Sequence, residues 1–180
     1  MIEIKFYGRG GQGAVIASQI LAKVFFLMGR YPQCFSVFGG ERRGAPVASF
    51  LRVDDKKILL KCEITNPDEV VYMAPDLVDE HEVESMLKPG GLILINNALT
   101  DNPFTALRKF RLALVDALSI AEEVGLGATI NTAILGAYAK ASGAVPMDVL
   151  EKAIRDTVPA KIEANVAAAK RAYEITRLVS

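Results

Sequence analysis

The chain has 180 residues, 51% of them hydrophobic and 23% charged, which is typical of one globular domain with a sizeable core. Lys plus Arg and Asp plus Glu each number 21, so the formal charge of zero argues against a general nucleic-acid binder or a protein of anionic membrane surfaces. The longest apolar stretch, residues 15–28, is interrupted by Gln19 and Lys23 and is too short to span a bilayer. No charged-then-apolar leader precedes the strand signal at Ile2, so we expect a cytoplasmic protein.

The two cysteines predict no metal site. Cys34 and Cys62 are far apart and form no Cys-x-x-Cys pair, the spacing common to many zinc and iron–sulfur sites. Each lies in an apolar, strand-like run, so we expect both to be buried free thiols in a reducing compartment.

The chain opens with the pattern of a strand, a glycine-rich turn and a helix. Residues 2–7 are rich in apolar side chains, residues 14–28 form a long apolar run, and residues 29–32 contain the glycine and proline expected at a helix end. Residues 34–38 predict a second strand. This β-α-β opening implies a parallel pair of strands with a right-handed crossover.

The middle of the chain predicts further strands. Residues 47–53 alternate, residues 54–56 are polar and residues 57–60 are apolar, which predicts a β-hairpin inserted into the sheet. Strands are also predicted at residues 69–73, 92–96 and 112–115, with an acidic helix over residues 76–88. Residues 97–111 allow no clear prediction.

The C-terminal third predicts three helices. The first follows Thr129 as its N-cap and continues to residue 142, the second opens at Pro146, and the third runs from residue 159 or 160 to about residue 178. The predicted fold is one domain, residues 1–180, of the α/β class. It is Rossmann-like, with a mostly parallel sheet of about six strands, helices on both faces, the hairpin insertion and the helical C-terminal third.

The most informative motif is the turn Gly8-Arg9-Gly10-Gly11-Gln12-Gly13 between the first strand and the first helix. Its spacing matches Gly-x-Gly-x-x-Gly, in which the glycines permit a tight turn, close approach to a diphosphate and close helix–strand packing. Backbone N–H groups at such a helix start suit an anion. Arg9 could add charge and Gln12 a side-chain hydrogen bond. The alternative interpretation is that the glycines serve packing alone, with Arg9 and Gln12 as solvated turn residues.

The residues after the turn narrow the type of phosphate ligand. An NAD site expects an acid near the end of the second strand to bind the ribose hydroxyls, and residues 29–38 contain no Asp or Glu. Glu41 comes later and is followed by Arg42 and Arg43, which suit a phosphate group or an interface. No Gly-Lys-Ser/Thr occurs after the turn, so a Walker loop is excluded. An adenine-containing ligand other than NAD fits these residues better.

Two motifs in order, with two later segments, resemble a known family. The glycine turn and residues 38–47, Phe-Gly-Gly-Glu-Arg-Arg-Gly-Ala-Pro-Val, are similar to the gamma subunit of pyruvate (2-oxoacid):ferredoxin oxidoreductase. Residues 131–137 and the last helix around residues 165–174 are similar too. The resemblance covers essentially the whole chain. Many relatives carry a proline where this chain has Gly40, and the Glu-Arg-Arg-Gly-Ala-Pro run is closer to the pyruvate-type members.

The resemblance implies an oxidoreductase complex in which this chain performs no chemistry itself. Thiamine diphosphate would belong to the alpha and beta subunits, iron–sulfur clusters to partner subunits including a ferredoxin-like delta subunit, and electrons would pass to ferredoxin. This chain would help to bind coenzyme A for conversion of a 2-oxoacid to acyl-coenzyme A. The candidate cofactor-binding residues are Gly8, Arg9, Gly10, Gly11, Gln12, Gly13, Arg42, Arg43 and Asn131.

Two other functions stay open from the residues alone. One is a stand-alone NAD(P)-dependent oxidoreductase, and the other is a purely structural subunit with an empty glycine turn. Asn131 could reach a ligand near a strand end or simply begin its helix. His81 lies in an acidic, solvated run and is not expected to be catalytic.

Overall fold

The computed structural model describes residues 1–38, 44–98 and 104–179. In these ranges the chain forms strands, α-helices and two 3₁₀ turns in the following order: β1 Ile2–Arg9, α1 Ala14–Leu27, β2 Tyr31–Phe38, β3 Pro46–Asp54, β4 Glu69–Tyr72, a turn Pro75–Leu77, α2 Glu80–Met86, β5 Leu92–Asn96, a turn Ala106–Lys109, β6 Arg111–Val115, α3 Ala117–Glu123, α4 Asn131–Ser142, α5 Met147–Thr157, α6 Ile162–Ile175 and β7 Arg177–Leu178.

One sheet of seven strands, in the order β2-β3-β1-β4-β5-β6-β7, organises the described chain. β1, β4, β5 and β6 are parallel neighbours, while β3 is antiparallel to both β1 and β2 and β7 is antiparallel to β6. The predicted α/β class with a mostly parallel central sheet is confirmed.

Helices cover both faces of the sheet. In strand β5, Leu92 and Leu94 belong to the core on one face of the sheet, and Ile93 and Ile95 belong to the core on the other. Both faces of the sheet are therefore apolar and must be covered. The larger core packs under α1 and α3–α6, and the smaller core under α2 and the second 3₁₀ turn. No helix in the described ranges is both long and apolar enough to cross a membrane.

The expected parallel pair of the first two strands is wrong. β1 and β2 run in the same direction, but β3 lies between them and pairs with both, from Ile2 opposite Val53 on one side and Tyr31 opposite Asp54 on the other. Periodicity identifies a strand but not its neighbour, and the later strand β3 takes the place beside β1.

The hairpin exists at a different place from the one predicted. β2 and β3 pair as antiparallel neighbours, β2 ending at Phe38 and β3 beginning at Pro46, and residues 57–60 are not a strand. Leu59 and Leu60 are 78% and 46% exposed, so the apolar run at 58–60 does not mark a buried element. The polar residues 54–56 therefore do not join two strands of a hairpin.

Smaller corrections concern helix ends and the cysteines. The acidic segment forms a short turn and then the seven-residue α2, and Ile130 rather than Thr129 is the N-cap of α4. The last helix ends at Ile175, after which the chain forms β7. Cys34 is half-buried and Cys62 is exposed, so the expectation of two buried thiols is wrong.

Candidate functional site

The glycine turn lies at the carboxyl end of β1 and leads directly into α1. Gly11 and Gly13 have φ values of 97° and 85°, a left-handed conformation that side chains with a Cβ disfavour. The Gln12 side chain holds the turn together, because its Oε1 accepts from the Arg9 N–H at 2.7 Å and its Nε2 donates to the Met73 carbonyl at 3.5 Å. Gln12 is therefore a brace of the turn, tied to the end of β4.

This turn borders a topological switch point of the sheet. After β1 the chain crosses to the face of the large core as α1, whereas after the neighbouring β4 it crosses to the opposite face as α2. Ligands of open α/β sheets bind in the crevice that such a divergence leaves at the carboxyl ends of the strands. The glycine turn is therefore at the position where this fold class places its ligands.

Gly8 has a packing role. It is part of β1, and a Cβ on it would lie 3.1 Å from the Cβ of Ala14, the first residue of α1. The absence of a side chain lets α1 approach the strand closely. Of the predicted turn glycines, Gly8 thus matches the packing interpretation, while Gly10, Gly11 and Gly13 form the turn itself.

Arg9 is engaged with protein groups in this structure. Its guanidinium pairs with the carboxylate of Asp76, just beyond β4, and also donates to the Gly44 carbonyl at 3.0 Å. The hydrogen bond from Arg9 lowers the pKa of Asp76. Arg9 thus bridges the crevice between β1 and β4, and a phosphate would have to compete with Asp76 for it.

The start of α1 offers unsatisfied backbone donors. Among the described residues, no side chain caps its first turn, and that turn contains no acidic residue. The first four N–H groups of a helix lack intrahelical acceptors and carry partial positive charge. A cavity of about 250 Å³, the glycine-turn cavity, opens here and is lined by residues that include Gly10, Gly11, Gly13, Val15 and Val47.

Asn131 brings a side-chain donor next to Gly13. It is the first residue of α4 and is only 6% exposed. Its Oδ1 accepts from the Thr132 N–H at 2.8 Å, but its Nδ2 has no hydrogen-bond acceptor among the described residues. That Nδ2 lies 3.0 Å from the position that a Cβ on Gly13 would occupy. The predicted site residues Gly13 and Asn131 are therefore in contact, although they are 118 positions apart in sequence.

A second, larger cavity adjoins Asn131. This helix-start cavity, of about 440 Å³, lies where the first residues of α1, α4 and α6 approach one another, and residues lining it include Ile16, Leu126, Asn131, Val158, Lys161 and Asn165. Asn165 is 6% exposed, accepts from the Thr132 hydroxyl at 3.0 Å and so links α6 to α4. The sequence prediction did not include Lys161, because a single lysine after Pro159-Ala160 carries no recognisable pattern.

The two predicted arginines, Arg42 and Arg43, lie outside the described residues. The segment directly after them is described, and it contacts the glycine turn. Gly10 donates its N–H to the Ala45 carbonyl at 2.9 Å, and Gly44 donates to the Gly10 carbonyl at 3.3 Å. The exit of the arginine-containing segment is thus anchored on the predicted phosphate turn.

Comparisons with known proteins show the family of this chain. Residues 3–175 match the family profile described as pyruvate ferredoxin/flavodoxin oxidoreductase. The chain is 50% identical to the common gamma subunit of the pyruvate/ketoisovalerate oxidoreductases of Thermococcus litoralis, over 98% of this chain and 97% of that protein. It is 48% identical to pyruvate synthase subunit PorC of Methanothermobacter marburgensis, over 97% of each chain.

Solved structures give the same result. The fold matches pyruvate oxidoreductase subunit PORC of Thermotoga maritima with a TM-score of 0.84 and 33% identity, over 99% of this chain and 98% of that one. It also matches 30% of a chain of 2-oxoglutarate:ferredoxin oxidoreductase from Magnetococcus marinus, with a TM-score of 0.78, 17% identity and 96% of this chain covered, a likeness of fold alone. The chain therefore belongs to the pyruvate ferredoxin/flavodoxin oxidoreductase family, as a gamma-type subunit of a 2-oxoacid:ferredoxin oxidoreductase.

Proposed function

We propose that this chain holds coenzyme A within a 2-oxoacid:ferredoxin oxidoreductase, with pyruvate as the favoured 2-oxoacid and acyl-coenzyme A as the product. The preference for pyruvate is based on the Glu-Arg-Arg-Gly-Ala-Pro run and on the names of the relatives from Thermococcus and Methanothermobacter. The Magnetococcus enzyme that shares the fold was solved with coenzyme A bound, which makes coenzyme A the first ligand to test.

The observation that carries the proposal is the meeting of three donor sets at one point. The uncapped start of α1, the glycine turn and the unpartnered Nδ2 of Asn131 lie together beside the glycine-turn cavity. An anion there would receive hydrogen bonds from the backbone N–H groups at the start of α1 and from the Nδ2 of Asn131, while the Gly10 N–H is already bonded to the Ala45 carbonyl. We assign the diphosphate of coenzyme A to this position, with Gly10, Gly11, Gly13 and Asn131 as its contacts.

The two predicted arginines are also proposed to take part in ligand binding. Arg42 and Arg43 directly precede Gly44, whose backbone is hydrogen-bonded to the glycine turn. This link between Gly44 and the turn supports a role for the two arginines in binding a phosphate there. We propose that one of them contacts the ligand and that Gln12 acts through the shape of the turn.

The remaining chemistry is assigned to partner subunits. Within the described residues, no group of three or more His, Cys, Asp or Glu side chains could hold a metal ion, so the residues present do not fit an iron–sulfur cluster. We propose that alpha and beta subunits bind thiamine diphosphate, that a ferredoxin-like delta subunit binds clusters, and that ferredoxin accepts the electrons. This chain then binds and orients coenzyme A.

The sheet order weakens the NAD alternative. A dinucleotide site uses an acid at the end of the strand beside β1 to bind the ribose. The neighbour of β1 on that side is β3, which runs the opposite way and begins at Pro46, while the end of β2 is one strand further away. An acid after β2 would therefore not have the usual relation to a nucleotide on the glycine turn.

Substitutions of Asn131 test the proposal in the assembled complex. Asn131→Ala removes the buried donor and Asn131→Asp replaces it with an isosteric acceptor of like charge to the ligand. We expect KM for coenzyme A to rise about tenfold with Ala and further with Asp, because a lost hydrogen bond to a charged group is worth about 1.5–3 kcal/mol. The KM for pyruvate should change little in both variants.

A matched control lies at the other end of the sheet. Asn66 precedes β4, is exposed, and donates only to the Met86 carbonyl at 3.3 Å. Asn66→Asp should leave both KM values at the wild-type level. Unchanged coenzyme A kinetics in both Asn131 variants would refute the proposed site and favour a purely structural subunit, and saturable NADH binding would favour the NAD alternative.

A further inference from the structure

The helix-start cavity has features that the diphosphate proposal does not use. It is the larger of the two cavities at this edge, about 440 Å³, and lies within the range of about 300–1000 Å³ typical of small-molecule sites. Its walls are mainly apolar, with Leu126, Val158 and Pro159 around one side and Ile16 on α1. Ile16 is 41% exposed, an apolar surface that a flat, apolar ligand group would remove from water.

Among the described residues that line this cavity, one has an ionisable side chain, Lys161. Its Nζ donates to the Gly125 carbonyl at 2.6 Å, and its residue is exposed. Lys161 is also the only described non-glycine residue with a positive φ, at 51°. The ammonium therefore stands at the mouth of an apolar cavity, and its partner is a neutral carbonyl.

Asn131 links this cavity to the proposed diphosphate position. Its amide Nδ2 lies beside Gly13, and the residue also lines the helix-start cavity. A ligand whose diphosphate lies on the glycine turn can therefore extend past Asn131 into the larger cavity without leaving the surface of this chain.

We infer that the helix-start cavity binds the adenosine end of coenzyme A and that Lys161 donates to its ribose 3′-phosphate. The inference rests on the proposed function and adds the direction in which coenzyme A lies. Adenine suits the apolar walls, and the 3′-phosphate dianion is a stronger acceptor for an ammonium than the Gly125 carbonyl that it would replace. The neutral pantetheine arm offers Lys161 no charge, and its thiol must leave this chain to meet the acyl group.

Removal of the 3′-phosphate measures this contact directly. In the assembled wild-type complex, KM for 3′-dephospho-coenzyme A should exceed KM for coenzyme A by about tenfold or more. Lys161→Gln should bring the two values close together by raising KM for coenzyme A alone. In the wild type, adenosine 3′,5′-bisphosphate should inhibit competitively with coenzyme A and more strongly than 5′-AMP does. In Lys161→Gln the two inhibitors should be equally strong.

Two further variants separate charge from structure. Lys161→Arg keeps the charge and the same backbone penalty at positive φ, so it should retain most of the preference for the 3′-phosphate. Lys152→Gln removes an exposed lysine of α5 that does not line the cavity and should leave the preference unchanged. A wild-type preference ratio in Lys161→Gln would overturn the inference.

The inference and the proposed function fail differently. If Asn131 variants raise KM for coenzyme A while Lys161→Gln keeps the wild-type ratio, the diphosphate site stands and the adenosine end lies elsewhere. If neither residue affects coenzyme A kinetics, both proposals are wrong.

Discussion

At the scale of single residues, the contact between Gly13 and Asn131 joins turn geometry to the site. Gly11 and Gly13 both have left-handed backbones, but their surroundings differ. A Cβ on Gly13 would meet Asn131 at 3.0 to 3.3 Å, whereas a Cβ on Gly11 would have no atom within 4 Å. The two glycines therefore form a matched pair. Gly11 is required only for its left-handed backbone, whereas Gly13 also leaves space for the Asn131 side chain.

Gly13→Ala should destabilise the chain more than Gly11→Ala. Each variant places an L-residue in a left-handed conformation, at a cost of about 1–2 kcal/mol, and only Gly13→Ala also pushes against Asn131. Urea unfolding of the two variants measures the difference in the free energy of unfolding. Equal losses would mean that the Asn131 side chain moves aside freely and does not hold the turn.

The contact between Tyr138 and Glu69 makes the stability of the chain depend on pH. On α4, the buried Tyr138 hydroxyl donates to the Glu69 carboxylate at the start of β4. Burial raises the pKa of Glu69, and the hydrogen bond from Tyr138 and the charge of Arg111 reduce that rise without cancelling it. The folded protein therefore binds a proton more tightly at Glu69 than the unfolded chain does, so this residue's contribution to stability falls as pH rises through that window.

Tyr138→Phe should enlarge this pH dependence. Without the hydroxyl, the pKa of Glu69 rises further, and a carboxylate that stays ionised has lost its donor. We expect a loss of about 1–3 kcal/mol near neutral pH, with a smaller loss near pH 5, where Glu69 can accept a proton. Urea unfolding at several pH values tests the sign. A loss that is constant from about pH 5 to 8 would contradict the role given to Glu69.

At the scale of elements, α4 and α6 cross at very short range. A Cβ on Gly136 of α4 would lie 1.9 Å from the carbonyl oxygen of Ala169 in α6, so the two backbones are nearly in contact. This crossing fixes the starts of both helices, which carry Asn131 and Lys161. The positions of Asn131 and Lys161 thus depend on Gly136, which follows Asn131 by five positions in α4.

Gly136→Ala separates helix propensity from packing. Alanine is the better helix former by about 1 kcal/mol, so propensity alone predicts stabilisation. The clash predicts the opposite sign, a loss of about 3 kcal/mol or more, since the helices must move apart. Ala133→Gly in the same helix should lose only about 1 kcal/mol plus a small cavity term. A more stable Gly136→Ala, measured by thermal unfolding, would refute the close crossing.

Sequence reasoning found most elements because their signals are local. The glycine turn sits between a strand and a helix as predicted, and β5 has the predicted bounds Leu92–Asn96. Strand neighbours were not predictable, because nothing local in residues 47–53 shows that β3 lies between β1 and β2. For the site, the sequence pointed to Gly13 and Asn131 separately, but their contact and the proposed role of Lys161 follow only from the packing of three helix starts.

At the scale of the whole molecule, the two layers on the sheet are unequal. One face carries α1 and α3–α6 over the larger core, while the other carries α2 and short turns. In α2 only Val83 and Met86 are buried, whereas α4 is buried along almost its entire length. Segments with few buried contacts open at a lower free energy than the core does. The α2 layer should therefore open on its own, while the site on the other face stays intact.

Native-state hydrogen exchange of the wild type and of Asp79→Ala measures this difference. Asp79 caps α2, since its Oδ1 accepts from the N–H groups of His81 and Glu82 at 2.9 and 3.1 Å. Removal of that cap should lower the opening free energy of α2 by about 1 kcal/mol and accelerate exchange of its amides roughly fivefold. The amides of α4 should keep their wild-type rates at low denaturant, because their exchange does not pass through the opening of α2. Equal acceleration in α2 and α4 would show that the two helices open as one cooperative unit, and the proposed coenzyme A site would then open together with the opposite face.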